Sequence, residues 1–252
     1  MTWVRSPGRP RRPEYNQPAM LNANAVPGAH MLGTLPIFPL PNVVLLPGMV
    51  LPLNVFEPRY LDLVDFVRAH DQHIGVPLLR PSPPPGAEAA PPPFEPIFGV
   101  GKLVFHVRLP DGRRIIRLEG VCRARSEREH PLTHRFRQVE ATALAEPPPQ
   151  DLDAVTVLRA QVERIAQHCG DERESLSSLL GISDVRVLLY ALTAFLPSLE
   201  LMAAREDNLS NRRGLVELQQ QSLVAATADA RVHFLCERIA GLLARLTPRW
   251  LN

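Results

Sequence analysis

The residue types that could do chemistry in this chain are few. Lys102 is the only lysine among 28 lysines and arginines, so any catalytic or phosphate-binding lysine must be this one. A phosphate-binding P-loop requires G-x-x-x-x-G-K-[ST], because backbone amides cradle the phosphates, the lysine reaches them and the hydroxyl holds magnesium. Here Gly101-Lys102 is followed by Leu103, and Pro96 takes the place of the first glycine. The sequence therefore does not predict a nucleotide site.

Histidine spacing does not favour a metal centre. His70 and His73 lie three residues apart, and His130 and His134 lie four apart around a proline. A metal site needs three or four ligands with supporting contacts around them. We therefore interpret these histidines as solvated surface residues and predict no metal-binding residue.

The three cysteines are scattered and lack a C-x-x-C spacing. A cysteine nucleophile needs an exposed, electropositive setting, whereas Cys236 lies on an apolar helical stripe. For Cys122, which follows a predicted strand, both interpretations stay open. An odd number of unpaired cysteines is typical of a reducing compartment, so we expect a cytoplasmic protein with no catalytic and no cofactor-binding residue.

The formal net charge of the chain is only +2. Arg5, Arg9, Arg11, Arg12 and Glu14 give the first 33 residues a charge of +3, which leaves −1 for the rest. A balanced charge gives no electrostatic reason to expect a nucleic-acid or anionic-membrane partner. Residues 1–33 lack apolar periodicity, so we predict a disordered Arg/Pro-rich tail.

Two apolar stretches resemble membrane spans at first sight. Residues 31–56 carry no formal charge but contain five prolines between Pro36 and Pro52, and each proline removes a backbone donor that a lipid-exposed helix needs. Residues 187–199 are apolar, but thirteen residues are too few to cross a bilayer. We expect no membrane partner.

The first half of the chain has the signals of strands. A helix is predicted from Pro58, where Tyr60, Leu63, Val64 and Val67 form one apolar stripe. Residues 81–96 are rich in proline and predict a flexible loop. Alternation and turn residues predict extended segments over 35–38, 42–46, 49–56, 73–79, 97–109, 113–125 and 136–144.

After the prolines at 147–149 the apolar period changes from two to 3.6. One stripe begins at Val155, a second at Val185 with Ser183 or Asp184 available as its cap, and a third runs from Val232 to Leu246. We expect Pro197 to break or kink the second helix. The chain is thus an α+β protein with a β-rich half followed by a helical half.

Three blocks of sequence carry a family resemblance. Residues 35–60 (LPIFPLPNVVLLPGMVLPLNVFEPRY), 98–103 (FGVGKL) and 109–123 (LPDGR, then LEGVCR) resemble the stand-alone Lon substrate-binding (Lon amino-terminal) domain proteins of bacteria. The resemblance implies a PUA-like pseudo-barrel of six strands with one inserted helix over residues 34–146. An all-α helical bundle would follow over 150–252.

The resemblance also implies a function. In full-length Lon proteases this region helps to recognise protein substrates and to assemble the ring, whereas the ATPase and Ser/Lys peptidase modules do the chemistry. With Lys102 as the sole lysine, we expect a non-catalytic protein- or peptide-binding module and not a peptidase. Its expected partners are unfolded or client proteins, held in grooves between the barrel and the helices; the oligomeric state stays open.

The FEPRY stretch is the candidate signature for binding. Phe56, Glu57, Arg59 and Tyr60 would either form a recognition edge or tie the helix to the barrel, with Glu57 favouring the positive helix end. The alternative function is RNA binding by the PUA-like barrel. It would use a stripe of arginines, among which acidic residues are interspersed: Arg108, Arg113, Arg114, Arg117, Arg123, Arg125 and Arg128.

Overall fold

The computed structural model describes residues 30–70, 73–81, 91–169, 173–203 and 212–246. Within these ranges six strands and six helices form, which confirms the α+β class. The strands are β1 (His30–Ile37), β2 (Val50–Val55), β3 (His73–Val76), β4 (Ile97–Arg108), β5 (Arg114–Glu129) and β6 (Arg137–Ala143). The helices are α1 (Pro58–His70), α2 (Leu152–His168), α3 (Arg173–Leu180), α4 (Val185–Ala203), α5 (Arg212–Val224) and α6 (Ala228–Leu246).

The six strands form one mixed sheet that closes on itself. Its order is β2-β5-β4-β3-β1-β6, and the long strand β5 also pairs with β6. Only β1 and β3 run parallel among the paired strands described. The helix inserted between β2 and β3 is α1, as predicted, and its stripe of Tyr60, Leu63, Val64 and Val67 is buried against the sheet.

Two boundaries differ from the expectation. Strand β1 begins at His30 and pairs with β6, so its first four residues belong to the sheet and not to the predicted tail; residues 1–29 lie outside the described residues. The second boundary is that of the predicted loop over 81–96, which is described only at its ends. Pro93, inside the predicted loop, accepts a hydrogen bond from Arg80 N–H at 2.9 Å. Residues 82–90 lie outside the described part.

The segment 42–46, predicted as a strand, is not one. Instead it crosses over the sheet and ends in a hydrogen-bonded contact with β5, since Gly48 N–H donates to the carbonyl of Gly120 at 2.7 Å. Leu45 packs with α1, whereas Leu46 and Met49 pack with the helical core. The consecutive residues Leu45 and Leu46 therefore face two different cores. In the sequence alone, this run of apolar residues resembles a buried strand.

Helix α4 forms the centre of the helical half. Asp184 accepts from Arg186 N–H at 2.9 Å at its start, and Pro197 lies inside the helix without ending it. With nineteen residues, α4 is the one described helix that is long and apolar enough to cross a membrane by length and composition. The apolar run over 187–199 predicted a segment too short for this. Leu188, Leu189 and Leu196 are fully buried between the other helices, the arrangement of a core helix.

Candidate functional site

Lys102 lies inside β4, opposite His73 on one side and Glu119 on the other. A P-loop lysine stands at a strand–helix junction, so the setting differs from that of a nucleotide site. The adjacent Gly101 serves packing, because a Cβ there would lie 2.7 Å from the Leu45 side chain. Gly101 therefore allows β4 and the segment that contains Leu45 to approach each other closely.

The cysteines are placed for packing. Cys122 is buried in the sheet, and burial raises the pKa of its thiol to about 11. Burial, and after it the charge of Asp151, also raises the pKa of Cys236; Cys169 is fully buried. A thiol nucleophile requires a lowered pKa, which neither shifted thiol has.

The histidines do not assemble into a metal site in the described part of the chain, where no group of three or more His, Cys, Asp or Glu side chains could hold a metal ion. His70 Nδ1 donates to the carbonyl of Phe66 at 2.8 Å. The ring of His134 stacks on Phe136, with 4.9 Å between centroids and planes 4° apart. These two histidines belong to aromatic packing beside α1.

The FEPRY signature divides into two parts. Tyr60 is 6 % exposed; its ring stacks on Phe38 with centroids 3.9 Å apart, and its hydroxyl donates to the carbonyl of Pro39. Arg59 pairs with Glu57 at 2.7 Å and lies over the Tyr60 ring. Tyr60 thus anchors the start of α1, whereas Glu57 and Arg59 pair with each other at the surface and Phe56 is 64 % exposed just after β2.

The predicted basic stripe is interrupted by ion pairs. Arg113, Arg114, Arg123 and Arg128 pair with Asp111, Asp65, Glu146 and Glu140 respectively. Arg114 donates to both oxygens of Asp65 and so holds the pKa of that carboxyl below its ordinary value. Since four of the seven arginines are neutralised, the stripe lacks the continuous positive charge that phosphate tracking uses.

A buried ion-pair cluster fills the junction between the sheet and the helices. Glu146, 6 % exposed, places one oxygen 2.6 Å from Arg231 Nη1 and the other 2.7 Å from Arg123 Nε. Tyr190 donates its hydroxyl to the same carboxylate at 2.7 Å. Burial is the main cause that raises the pKa of Tyr190. At these residues the junction is closed and offers no groove.

An exposed apolar surface lies elsewhere, on β4. Strand β3 pairs with β4 only as far as Lys102, so residues 103–108 pair with β5 alone in the described structure. We call residues 103–108 the β4 edge. Val104, Phe105 and Val107 are 47 %, 39 % and 40 % exposed there. An unpaired strand edge leaves backbone donors and acceptors available to another chain.

A pocket of about 280 Å³ opens beside the β4 edge. Val67 and Arg68 of α1 form one wall, and residues 102–106 form the other. We call it the edge pocket. The strand is irregular here, because its register against β5 shifts between Leu103 and Phe105, and such a bulge redirects side chains at the edge.

The face of the β4 edge turned away from α1 carries apolar side chains beside one arginine. Phe105, Arg117 and Pro52 lie side by side across β4, β5 and β2, and the Arg117 guanidinium lies 4.9 Å from the centre of the Phe105 ring. Val107 and Ile115 form the next row toward the hairpin turn. The side chains of this face and the edge pocket together form a surface that can hold an extended chain.

A closed sheet with one inserted helix, joined by a buried ion-pair cluster to a helical half, defines an α+β protein of the sheet-plus-bundle class. The chain belongs to the family described as the ATP-dependent protease La (LON) substrate-binding domain, whose model matches residues 34–202. This confirms the resemblance of the three sequence blocks. Helices α5 and α6 lie beyond the matched residues.

Two of the similar proteins are Lon proteases. The Lon protease of Lawsonia intracellularis (strain PHE/MN1-00) is 28 % identical over 152 residues, which are 59 % of this chain and 17 % of that protein. The Lon protease of Cytophaga hutchinsonii is 35 % identical over 98 residues, 38 % of this chain and 11 % of that protein. The chain thus matches under a fifth of each relative.

A solved structure has the same fold. The amino-terminal domain of a Mycobacterium avium complex Lon protease aligns with a TM-score of 0.50 at 13 % identity, covering 74 % of this chain and 98 % of that one. At this identity the likeness concerns the fold alone.

Sequence reasoning missed two features of the site. Glu146, Tyr190 and Arg231 meet from positions up to 85 residues apart, and no local pattern marks such a set. Phe105 and Val107 lay within a predicted strand, but their exposure depends on which face α1 covers. The consecutive apolar residues 103–105 were the available signal, since alternation fails where the register shifts.

Proposed function

We propose that the protein binds segments of other proteins without cleaving them, and that an extended segment adds to the β4 edge as a further strand. The observation that carries the proposal is the combination of exposed Val104, Phe105 and Val107 with a strand for which the described residues provide one neighbour beyond Lys102. Strand addition gains affinity from backbone hydrogen bonds and specificity from pockets for alternate side chains. Membership of a substrate-binding family supports a protein partner.

The non-catalytic part of the proposal rests on what the family match includes. It covers a substrate-binding domain, and Lys102, the sole lysine, is on strand β4, where it lines the edge pocket. Desolvation raises the pKa values of the buried Cys122 thiol and the half-buried Cys236 thiol. We propose a reducing compartment, such as the cytoplasm, because the three cysteines are odd in number, scattered and without a C-x-x-C spacing.

The direct test is binding of an unfolded protein. Reduced, carboxymethylated α-lactalbumin should change the fluorescence anisotropy of the protein when the protein carries a fluorescent label. Native α-lactalbumin should not change it. Phe105→Asn and Val107→Asn should each weaken binding about tenfold, because they remove exposed apolar contact area. Leu152→Asn is the matched control, since Leu152 is 65 % exposed on the helical half.

Equal binding of native and unfolded protein would contradict the proposal. Loss of binding in Leu152→Asn but not in the β4 variants would move the site to the helices. For the non-catalytic part, incubation with casein should leave it intact on a gel. Cleavage that persists in Lys102→Ala would show a peptidase that does not use this lysine.

A further inference from the structure

We infer that the segment bound at the β4 edge carries carboxylate side chains among its apolar ones. This inference rests on the proposed function and names the chemistry of its partner. The edge pocket has two formally charged lining residues, Arg68 and Lys102, both exposed. Among the residues that the structure describes, no carboxylate lines it, so its described lining combines two cations with apolar side chains.

The described carboxylates nearby form no ion pair with these cations. Asp65, which lies within the electrostatic range of Arg68, has both oxygens on Arg114. Glu119 faces Lys102 across the ladder but is not within ion-pair distance of it. In the described structure neither Arg68 nor Lys102 is in an ion pair.

The response of His106 agrees with a positive local potential. Burial and then the charges of Arg68 and Arg114 lower its pKa, so the imidazole is neutral near pH 7. It adds neither a competing anion nor a further cation to the pocket. Positive charge at the pocket therefore comes from the two exposed side chains.

Strand geometry explains how one segment can use both features. Successive side chains of an added strand point to opposite faces. One set would lie on the face of Phe105 and Val107, where Lys102 can pair with a carboxylate, because the β5 partners of Lys102 and Phe105 lie two residues apart. The other set would enter the edge pocket beside α1, where Val67 and Leu103 contact apolar groups and Arg68 pairs with a carboxylate. Charge complementarity of this kind sets partner choice and association rate more than total affinity.

The test compares three fluorescent peptides with the same apolar residues. Their alternate positions carry Asp and Glu, Asn and Gln, or Lys. Full-length protein should bind the acidic peptide about five- to tenfold tighter than the neutral one, as expected for two exposed ion pairs, and the basic peptide most weakly. The preference should shrink as salt is raised, because exposed charges are screened.

Charge-removing variants assign the preference to the pocket. The double variant Arg68→Gln with Lys102→Gln should bind acidic and neutral peptides within about twofold of each other. Arg125→Gln, an exposed arginine on the other end of β5, should keep the full preference. Thermal midpoints of all variants should match the wild type, because these side chains are exposed.

The outcomes separate the two proposals. Equal affinity for acidic and neutral peptides overturns the charge inference but leaves binding at the edge intact. Failure of all peptides and of unfolded α-lactalbumin overturns the proposed function itself. Binding of mixed tRNA that exceeds acidic-peptide binding, falls with salt and is lost in the double variant overturns the inference in favour of a phosphate ligand.

Discussion

The carbonyl oxygen of Leu45 occupies the space where Gly99 would carry a side chain. A Cβ atom on Gly99 would lie 1.8 Å from that oxygen, far inside van der Waals contact. Gly120 has the same relationship with the next residue, at 2.2 Å from the carbonyl oxygen of Leu46. Residues 42–46, which we call the crossing segment, therefore lie directly on the backbones of β4 and β5. Through this segment the sheet contacts both cores.

Replacing Gly99 with alanine should destabilise the protein strongly. The new methyl group meets backbone, which cannot rotate away as a side chain can, so we expect a loss of at least about 3 kcal/mol in the free energy of unfolding. Urea denaturation followed by circular dichroism measures it. A loss below about 1 kcal/mol would show that the crossing segment can shift.

Gly241→Ala is the matched control for that substitution. It lies in the exposed part of α6, and a Cβ there meets nothing within 4 Å. Alanine has the higher helix propensity, so this variant should gain about 0.5–1 kcal/mol. Opposite signs for the same chemical change would tie the Gly99 effect to its contact with Leu45.

Much of the fold follows from patterns within single elements. Three patterns depend only on neighbours in sequence, and each predicts the element that forms. They are the apolar stripe from Tyr60 to Val67, the Asp-Gly turn before β5 and the change of apolar period after Pro149. The prediction of a strand for the crossing segment was wrong, because its apolar residues alternate between two cores and not between a core and solvent.

The site was less accessible to prediction than the fold. Phe56 and Tyr60 belong to one motif, yet one is 64 % and the other 6 % exposed, because the chain turns from β2 into α1 between them. The β4 edge depends on how far β3 pairs along β4, which among the described residues is as far as Lys102. Strand pairing joins residues distant in sequence, so its limits cannot be derived from a single strand.

Substitution of Glu146 tests the buried cluster. Glu146→Gln would leave the guanidinium groups of Arg123 and Arg231 buried without a counter-charge, so we expect a loss of about 3–5 kcal/mol in unfolding free energy. Glu140→Gln removes a surface partner of Arg128 and should change stability by less than about 1 kcal/mol. Similar values for both variants in chemical denaturation would contradict a structural role for the cluster.

The Cys122 thiol should make stability depend on pH in the alkaline range. In the unfolded chain it ionises near its ordinary pKa of 9.0, whereas the folded thiol stays protonated up to about 11. The unfolded state therefore loses its proton first, and the free energy of unfolding falls as pH rises across this window, by up to about 2–3 kcal/mol.

Cys122→Ala isolates that contribution. The difference in unfolding free energy between wild type and variant should be constant below pH 9.0 and should shrink toward pH 11. The thiol should also resist alkylation at mildly alkaline pH until the protein is unfolded by guanidinium chloride. A difference that does not vary with pH, or rapid alkylation of the folded protein, would show that the thiol is accessible.

The two ends of the FEPRY motif should behave oppositely on truncation. Tyr60→Ala removes a ring stacked on Phe38 and should lower the free energy of unfolding by about 3 kcal/mol. Phe56→Ala removes an exposed ring, so stability should change by less than about 0.5 kcal/mol. Because Phe56 follows β2, whose Pro52 lies in the same row as Arg117 and Phe105, we expect this variant to weaken binding of unfolded α-lactalbumin at unchanged thermal midpoint. Unaltered binding would confine the recognition surface to the β4 edge, and a large stability loss would show that Phe56 packs as its partner Tyr60 does.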